Sequence, residues 1–225
     1  MSIDQREKMK TKTTLIVSFI LITIVLVSGL LVYGRMPGHI VTHWNAQGQP
    51  DGYSSAAVAI ALLPGTMVFT TLLLIVLPQI DPLRKNIEQF RGTYNLTILL
   101  INGFLTFMHF VSLFWNLGWK LNMNVVVLIG LGLLFAGLGS LISKARRNYF
   151  FGIRTPWTLA SDLVWEKTHQ LGGRVFQIAG AGMLIGIFFP DAIFAILITI
   201  VIIASVIPLV YSYLIWHQLE KESGL

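Results

Sequence analysis

"TTLIVSFILITIVLVSGLLVY", residues 13–33, contains no charged side chain. A helix of about 20 apolar residues is long enough to cross a hydrocarbon core of about 30 Å. In lipid, every backbone N–H and C=O group must be bonded within the segment, which favours a helix. The stretch therefore predicts a membrane-spanning helix. Its length and the absence of a small-x-small cleavage site after it favour an uncleaved anchor over a signal peptide.

Five further apolar blocks follow this stretch along the 225-residue chain. The chain is 55% hydrophobic and only 12% charged, and its mean hydropathy is +0.73. The blocks lack the alternating pattern of transmembrane β-strands. The six predicted spans are Thr13–Tyr33, Ala56–Leu77, Thr93–Trp115, Leu121–Ile142, Val175–Phe189 and Ala192–Trp216. The sequence thus predicts an all-α fold, a polytopic integral membrane six-helix bundle, whose fifth span is the shortest.

The cationic residues are distributed unevenly between the connectors. Of the 16 Lys and Arg, all except Arg35 and Lys120 lie in or next to the two termini, the second connector and the fourth connector. Because cytoplasmic segments carry the excess of Lys and Arg, both termini are predicted to be cytoplasmic. The N-terminal contribution comes from Arg6, Lys8, Lys10 and Lys12. The same charges could hold anionic lipid head groups, and no folded basic module remains for direct nucleic acid binding.

Two connectors are long enough to fold. We predict an N-terminal two-span domain, residues 1–92, with a folded extracellular loop at 34–55. A four-span domain, residues 93–225, would follow, with a cytoplasmic loop at 143–174. The chain contains no cysteine, which excludes disulfides, thiolate metal sites and cysteine nucleophiles.

The extracellular loop combines turn-forming residues with aromatic and ionisable side chains. Its Pro50-Asp51-Gly52 run favours a turn. His39 and His43 are four apart, so they would share one face of a helical turn, where Asp51 could add a third metal ligand. The alternative is that the rings of this loop lie in the interfacial aromatic belt. The candidate residues facing the outside are His39, His43, Trp44, Asn45, Asp51 and Tyr53.

The 143–174 connector is predicted to contain an amphipathic helix lying on the inner leaflet. Thr158 or Ser161 can cap this helix, and Asp162 would be favourable in its first turn. Apolar side chains then fall on one side of the helical wheel and polar ones on the other, which is typical of an interfacial helix. Gly172-Gly173 would break the helix before the fifth span.

Two interpretations of this amphipathic segment remain open. Membrane anchoring alone accounts for most of its features. Anchoring does not require the polar face that it would turn to the cytosol, with Trp165 and His169 at its edge. That face could dock a partner protein.

The predicted spans hold few polar side chains. Asn95, Asn102 and His109 of the third span are seven apart and therefore share nearly one face. We interpret them as interhelical hydrogen-bond partners, with the lining of a pathway as the alternative. The lack of charged residues inside the spans argues against a proton- or ion-coupled transporter. Small residues four apart, at Gly132, Ala136 and Ser140, predict close helix packing.

No catalytic pattern of a metalloprotease, a serine hydrolase or a phosphate-binding loop occurs in the chain. The sequence therefore predicts a protein that is not an enzyme and has no cofactor or resident metal.

Two parts of the chain resemble known bacterial sequences. "MPGHIVTHWNAQGQPDGY", residues 36–53, and "LPQIDPLRKNIEQF", residues 77–90, are similar to a small bacterial membrane domain of unknown function. "FGIRTPWTLASDLVWEKTHQLGGRVF", residues 151–176, resembles the SdpI family of membrane proteins, which act in toxin immunity and signal transduction. The resemblance implies a multi-pass protein of the bacterial cell membrane. It also implies resistance to a secreted membrane-active peptide and, in signalling members, retention of a cytosolic transcriptional repressor at the membrane.

Mapped onto this chain, the resemblance implies that the extracellular loop faces the toxin. The residues that would face the repressor or transmit the signal are Arg154, Thr155, Pro156, Trp157, Trp165, Glu166 and His169. Two other classes of function stay open at this stage. One is a small transporter or export facilitator. The other is a membrane metalloenzyme that uses His39, His43 and Asp51.

Overall fold

Long helices make up most of the protein. The computed structural model describes residues 10–223, so Arg6 and Lys8, which supported the predicted orientation, lie outside the described residues. The helices are α1 Thr11–Val32, α2 Ala56–Ile80, α3 Arg84–Gln89, α4 Arg91–Asn116, α5 Met123–Ile142, α6 Pro156–Ala160, α7 Asp162–Gly186 and α8 Ile193–Ser223. Short 3-10 turns at Tyr33–Arg35 and Pro190–Ala192 follow α1 and precede α8.

Among residues 10–223, five helical segments are long and apolar enough to cross a membrane. They are Thr11–Arg35, Ala56–Ile80, Arg91–Asn116, Met123–Ile142 and Pro190–Glu222. Each corresponds to one of the predicted spans. Helix α7 is not among them, because its first half, from Asp162 to Arg174, carries charged side chains. The sixth span therefore stays a prediction.

Helices α5 and α7 pack against each other along a row of small residues. A Cβ atom added to Gly139 would lie 2.5 Å from the backbone oxygen of Gly173. One added to Gly180 would lie 2.5 Å from the backbone oxygen of Gly132, and 3.0 Å from the Cβ of Ala136. These distances leave no room for a larger side chain, so the two backbones touch directly. Such contacts are the usual basis of helix association in membranes.

The Gly172-Gly173 pair does not end a helix, and the prediction of a break there is wrong. Helix α7 runs without interruption through both residues. A Cβ at Gly172 would lie 2.4 Å from Cδ1 of Ile153, and one at Gly173 would lie 2.7 Å from the oxygen of Gly139. Gly173 is therefore needed for the close backbone contact with α5, and Gly172 leaves space for the side chain of Ile153. Sequence alone does not distinguish this role from that of a helix terminator.

Helix α4 is hydrogen-bonded to α1 and α2 through its three polar side chains. Asn102, which is 1% exposed, donates to Oγ of Ser18 at 3.0 Å and to Oγ1 of Thr71 at 2.9 Å. His109 lies 3.1 Å from Oγ of Ser28 through its Nε2. Asn95 is similarly bonded to Thr11, at 3.3 Å. All three side chains thus link helices to one another.

The 34–55 loop folds as a β-hairpin, which adds two strands to the all-α expectation. Strand β1, His39–Trp44, pairs antiparallel with strand β2, Pro50–Ser55. The β-branched run at Ile40, Val41 and Thr42 favours an extended strand. The Pro50-Asp51-Gly52 run, predicted as a turn, lies within β2 instead. The register explains Gly52, because a Cβ there would lie 2.7 Å from the Cβ of His43.

The close α5–α7 contact makes a prediction about Gly180. Replacing Gly180 with Ala should lower the free energy of unfolding by about 1–3 kcal/mol, because the added methyl group overlaps the α5 backbone. The matched control is Gly103→Ala on α4, where no atom lies within 4 Å of the added Cβ. Thermal unfolding in detergent micelles, followed by tryptophan fluorescence, measures both. Equal stability of the two variants would contradict the contact.

Candidate functional site

The β-hairpin is held on the helices by the side-chain amide of Asn116, the last residue of α4. Its Oδ1 accepts a hydrogen bond from the backbone N–H of Val41 at 2.9 Å, and its Nδ2 donates to the carbonyl of the same residue at 3.0 Å. One amide thus takes the place of a neighbouring strand on the outer edge of β1. Trp44 adds an edge-to-face contact with Trp115, with ring centroids 5.7 Å apart.

A second asparagine forms the turn of the hairpin. Oδ1 of Asn45 accepts from the backbone N–H groups of Gln47 and Gln49, both at 3.0 Å. Gly48 supplies the positive φ of 73° that closes the turn. Asn124 of α5 then donates to the carbonyl of Ala46 at 3.1 Å, which fixes the turn over the helix.

A groove of about 450 Å³ lies beneath the hairpin, between helices α4, α5 and α8. Predominantly apolar side chains line it, which suits an apolar ligand. The hairpin contributes Thr42, His43, Trp44, Asn45 and Ala46, and the helices contribute Met108, Met123, Asn124, Val127, Ile193, Phe194 and Leu197. Three of the predicted outward-facing residues, His43, Trp44 and Asn45, are therefore brought together here.

The remaining predicted residues of this loop lie apart from the groove lining. Asp51 pairs with His43: Oδ1 of Asp51 lies 2.5 Å from Nδ1 of His43, and both side chains are largely exposed. His39 begins β1, opposite Ser55, and Tyr53 is exposed on β2. Within residues 10–223, no three His, Cys, Asp or Glu side chains group closely enough to hold a metal ion. The alternative of a metal cluster from His39, His43 and Asp51 is therefore not supported among these residues, since His39 and His43 lie on a strand and not on one helical turn.

At the opposite end of the helices, Asn148 organises the start of the long connector. Its Oδ1 accepts from the N–H groups of Phe150 and Phe151, and its Nδ2 donates to the carbonyls of Arg146 and Phe151. The side chain is fully buried, and every one of these bonds lies between 2.6 and 2.9 Å.

Asp81 joins this connector to the turn between α2 and α3. The carboxylate is 2% exposed. It accepts from the N–H of Leu83 at 2.6 Å and from the N–H of Tyr149 at 2.9 Å. A charge-assisted hydrogen bond is stronger than a neutral one. The carboxylate therefore ties two parts of the chain that are far apart in sequence.

His169 has a single tautomer that its neighbours determine. Its Nε2 accepts from the backbone N–H of Ile153 at 2.9 Å, so the proton lies on Nδ1, which donates to the carbonyl of Trp165 at 2.8 Å. The ring stacks on Trp165 at 4.0 Å. Gly152 has φ of 118°, and a Cβ there would lie 2.3 Å from Nε2 of His169. Burial lowers the pKa of His169 to about 4. The hydrogen bond to the backbone of Trp165 acts in the opposite direction and is the smaller effect.

The Thr-Pro step forms a capped single turn, α6, that contacts α8. Thr155 and Thr158 exchange side-chain to backbone hydrogen bonds, at 3.1 and 2.8 Å. Oγ1 of Thr155 also lies 3.2 Å from Oγ of Ser212 on α8. Trp157 packs edge to face on Tyr213, with centroids 5.2 Å apart. The connector is therefore folded onto α8 as well as onto α7.

Two family models match the chain. Residues 144–212 match the model described as SdpI/YfhL protein family, and residues 19–68 match a domain of unknown function, DUF1648. Residues 144–212 are called the SdpI-family segment below, after the model that they match. Over 210 residues it is 25% identical to the Immunity protein SdpI of Bacillus subtilis (strain 168), an alignment covering 93% of this chain and 97% of that protein. No solved structure matches the chain significantly.

These matches confirm the resemblance that the sequence motifs indicated. Together with the apolar helices, they identify a multi-pass protein of the bacterial cell membrane. The SdpI-family segment begins in the connector after α5, includes α6 and α7, and ends on α8 at Ser212. It therefore contains Asn148, His169 and the capped turn described above.

The SdpI-family segment does not present all of the predicted partner-facing residues to solvent. Trp165 and His169 are 2% and 1% exposed, so their expected position at the edge of a cytosolic face is wrong. The indole N–H of Trp165 donates instead to the carbonyl of Ala145 at 2.8 Å. Thr155 is also buried. Arg154, Pro156 and Glu166 are exposed, and Trp157 is half-buried.

The helix cap at the start of α7 agrees with the sequence. Oγ of Ser161 accepts from the N–H of Val164, and Asp162 lies in the first turn. The sequence reasoning missed Asp81, Asn116, Asn124 and Asn148. Each of them is polar and stands next to a helix end or a turn, and this position was the only available signal.

The neutral state of His169 predicts a specific pH dependence. Between about pH 6.5 and pH 4 the unfolded chain binds a proton at His169 that the folded chain does not, so the free energy of unfolding should fall as the pH falls. The loss should reach up to about 3 kcal/mol. Denaturant unfolding in micelles at stepped pH measures it.

The variant His169→Gln should flatten this pH dependence, because glutamine cannot take up the proton. The control is His39→Gln, since His39 is exposed on β1. A wild-type pH profile in the His169 variant would contradict the assignment.

Proposed function

We propose that the protein is an immunity protein that protects the cell membrane from a secreted, membrane-active peptide. The observation that carries the proposal is the apolar groove beneath the hairpin, which His43, Trp44 and Asn45 line together with α4, α5 and α8. The similarity to the Immunity protein SdpI of Bacillus subtilis supports the same conclusion.

The proposed orientation places the hairpin outside the cell. The connectors on the opposite side of the helices carry most Lys and Arg, which is typical of the cytoplasmic side. In this arrangement the apolar half of α7, from Val175 onward, forms a sixth span, and both termini are cytoplasmic. The tight contact of α7 with α5 supports this placement, and the exposed Ile178 and Ile185 of α7 would face lipid.

The groove has the chemistry to hold an apolar peptide segment at the outer leaflet. Met108 and Met123 have flexible, polarisable side chains that adapt to irregular ligands. The indole Nε1 of Trp44 is buried without a hydrogen-bond partner within residues 10–223. A buried N–H of this kind is uncommon, and a peptide carbonyl would satisfy it. Binding there would hold the peptide away from the lipid that it damages.

The connector at the cytoplasmic end is proposed to transmit occupancy of the groove to a cytosolic repressor. The exposed residues of the SdpI-family segment that could contact it are Arg154, Pro156, Trp157 and Glu166. Helices α5 and α8 line the groove, and both pack on α7, which carries the buried Trp165 and His169. A peptide can drive such a change only through different affinities for two states. The 1–92 and 93–225 domains would then be coupled through the hydrogen bonds of α4 to α1 and α2.

The proposed topology can be tested with single cysteines, because the native chain has none. In intact cells, a membrane-impermeant maleimide should label Tyr53→Cys, which lies on the hairpin and is 59% exposed. Tyr149→Cys, at 44% exposure on the connector, should be labelled only after the membrane is permeabilised. The opposite labelling pattern would overturn the orientation.

The groove makes a prediction about protection. In a sensitive host challenged with a purified, secreted membrane-active peptide, wild type should protect. Val127→Phe fills the groove and should lower the tolerated peptide concentration about tenfold, which corresponds to about 1.4 kcal/mol. Trp44→Phe keeps an aromatic ring but loses the indole N–H, so its protection should fall less than that of the Val127 variant.

The matched control for this experiment is Ala61→Phe. It adds a phenyl ring to a different, lipid-facing groove on α2. All variants are compared at equal membrane levels. Loss of protection in the Ala61 variant to the same degree as in the Val127 variant, or no protection by wild type, would count against the proposal.

A further inference from the structure

A second cavity, of about 580 Å³, opens at the connector end of the helices. It lies between α3, the residues that follow α5 and the first turns of α7. Its lining is mainly polar and includes Asn86 and Gln89 of α3, Lys144 and Arg146 after α5, and Gln170 of α7. It is separate from the hairpin groove, and it reaches the His169 cluster only through Trp165, which also lines it.

The ionisable residues of this cavity are not all equally available. Arg147 donates through Nη1 to the carbonyl of Leu159 at 2.9 Å, and its Nε lies 2.8 Å from Oδ1 of Asp162. Arg147 and Asp162 thus compensate each other. Glu166 is exposed at the α7 side, where it accepts a hydrogen bond from Gln170.

Two cations of the lining remain uncompensated. Lys144 and Arg146 are exposed, and neither forms an ion pair among residues 10–223. Asn86 donates one amide hydrogen to the carbonyl of Arg147 at 2.9 Å, and its second amide hydrogen stays available. An ammonium, a guanidinium and amide donors therefore surround the same space, which carries the carboxylate of Glu166 on its α7 side.

The cavity also lies at a defined depth relative to the membrane. Helix α5 has 20 residues, which at about 1.5 Å per residue just cross a hydrocarbon core of about 30 Å. It ends at Ile142, so Lys144 and Arg146 emerge where lipid phosphates lie. Basic pockets at this level are suited to lipid head groups.

We infer that this cavity binds the phosphate of an anionic phospholipid from the adjoining leaflet. Arg146 would supply a planar fork of donors to the phosphate oxygens, and Lys144 a compact charge. The amides of Asn86 and Gln89 would complete the donor set. A concave cavity at head-group depth favours a lipid over an acidic protein partner. The inference does not depend on the proposed immunity function.

The test uses the purified full-length protein in neutral detergent micelles. Phosphatidylglycerol should raise the midpoint of thermal unfolding by at least about 3 °C, and phosphatidylcholine should not. Inorganic phosphate and glycerol phosphate distinguish a free phosphate from a lipid, and both should leave the midpoint unchanged. The variant Lys144→Gln/Arg146→Gln should lose more than half of the lipid effect.

The control variant is Arg84→Gln/Lys85→Gln, which removes the same charge from exposed positions on α3 that do not line the cavity. It should retain the full lipid effect. Native mass spectrometry of retained phosphatidylglycerol on Lys144→Gln gives a second readout should the double variant not fold. Equal losses in both double variants would overturn the site, since diffuse surface attraction would then suffice. Stabilisation by soluble phosphate would show that the cavity binds a free anion. If no phosphate compound had an effect, the lipid site would be excluded and an acidic protein partner would be favoured.

Discussion

The contact between α5 and α7 is the constraint on which the connector end of the structure, around residues 143–174, depends. At Gly139, Gly173 and Gly180 the two backbones approach so closely that no Cβ fits between them. In lipid, helices gain little from hiding apolar surface, so they associate through such close packing. The contact sets the position of α7, and α7 in turn positions Trp165 and His169. Gly152 and Ile153 can then approach the His169 ring, which fixes the path of the connector that contains Arg154.

Polar side chains replace missing backbone partners at three places between the helices. Asn116 bonds the N–H and the C=O of Val41 as a neighbouring strand would. Asn148 bonds four backbone groups. Asp81 accepts hydrogen bonds from the N–H groups of two separate turns. Buried backbone groups without partners are costly, particularly near lipid. These few polar residues therefore allow irregular segments to exist at the membrane boundary. The candidate sites at both ends depend on them.

The sequence predicts the five long apolar helices well because a single quantity, the length of an apolar run, determines them. It predicts the cap at Ser161 for a similar reason, since the cap depends only on neighbouring residues. It does not predict the hairpin, whose pairing joins residues on both sides of Asn45 and needs Asn116 from a distant helix. The helix end predicted at Gly172-Gly173 is wrong because glycine is common both at helix ends and at close helix contacts. His169 was placed at an exposed edge because its partners, Ile153 and Gly152, become neighbours only after the connector folds back.

The hydrogen bonds along α4 have a mechanical consequence. Thr11, Ser18 and Ser28 of α1 meet Asn95, Asn102 and His109 at three successive levels, almost from one membrane surface to the other. Sliding α1 past α4 by one turn, about 5.4 Å, would break all three bonds within lipid, where no water replaces them. The two helices are therefore held together as one rigid unit. Relative movement of helices is easier between α4 and α5. There Phe107 packs on Gly130 and Leu100 packs on Gly137 through apolar contacts.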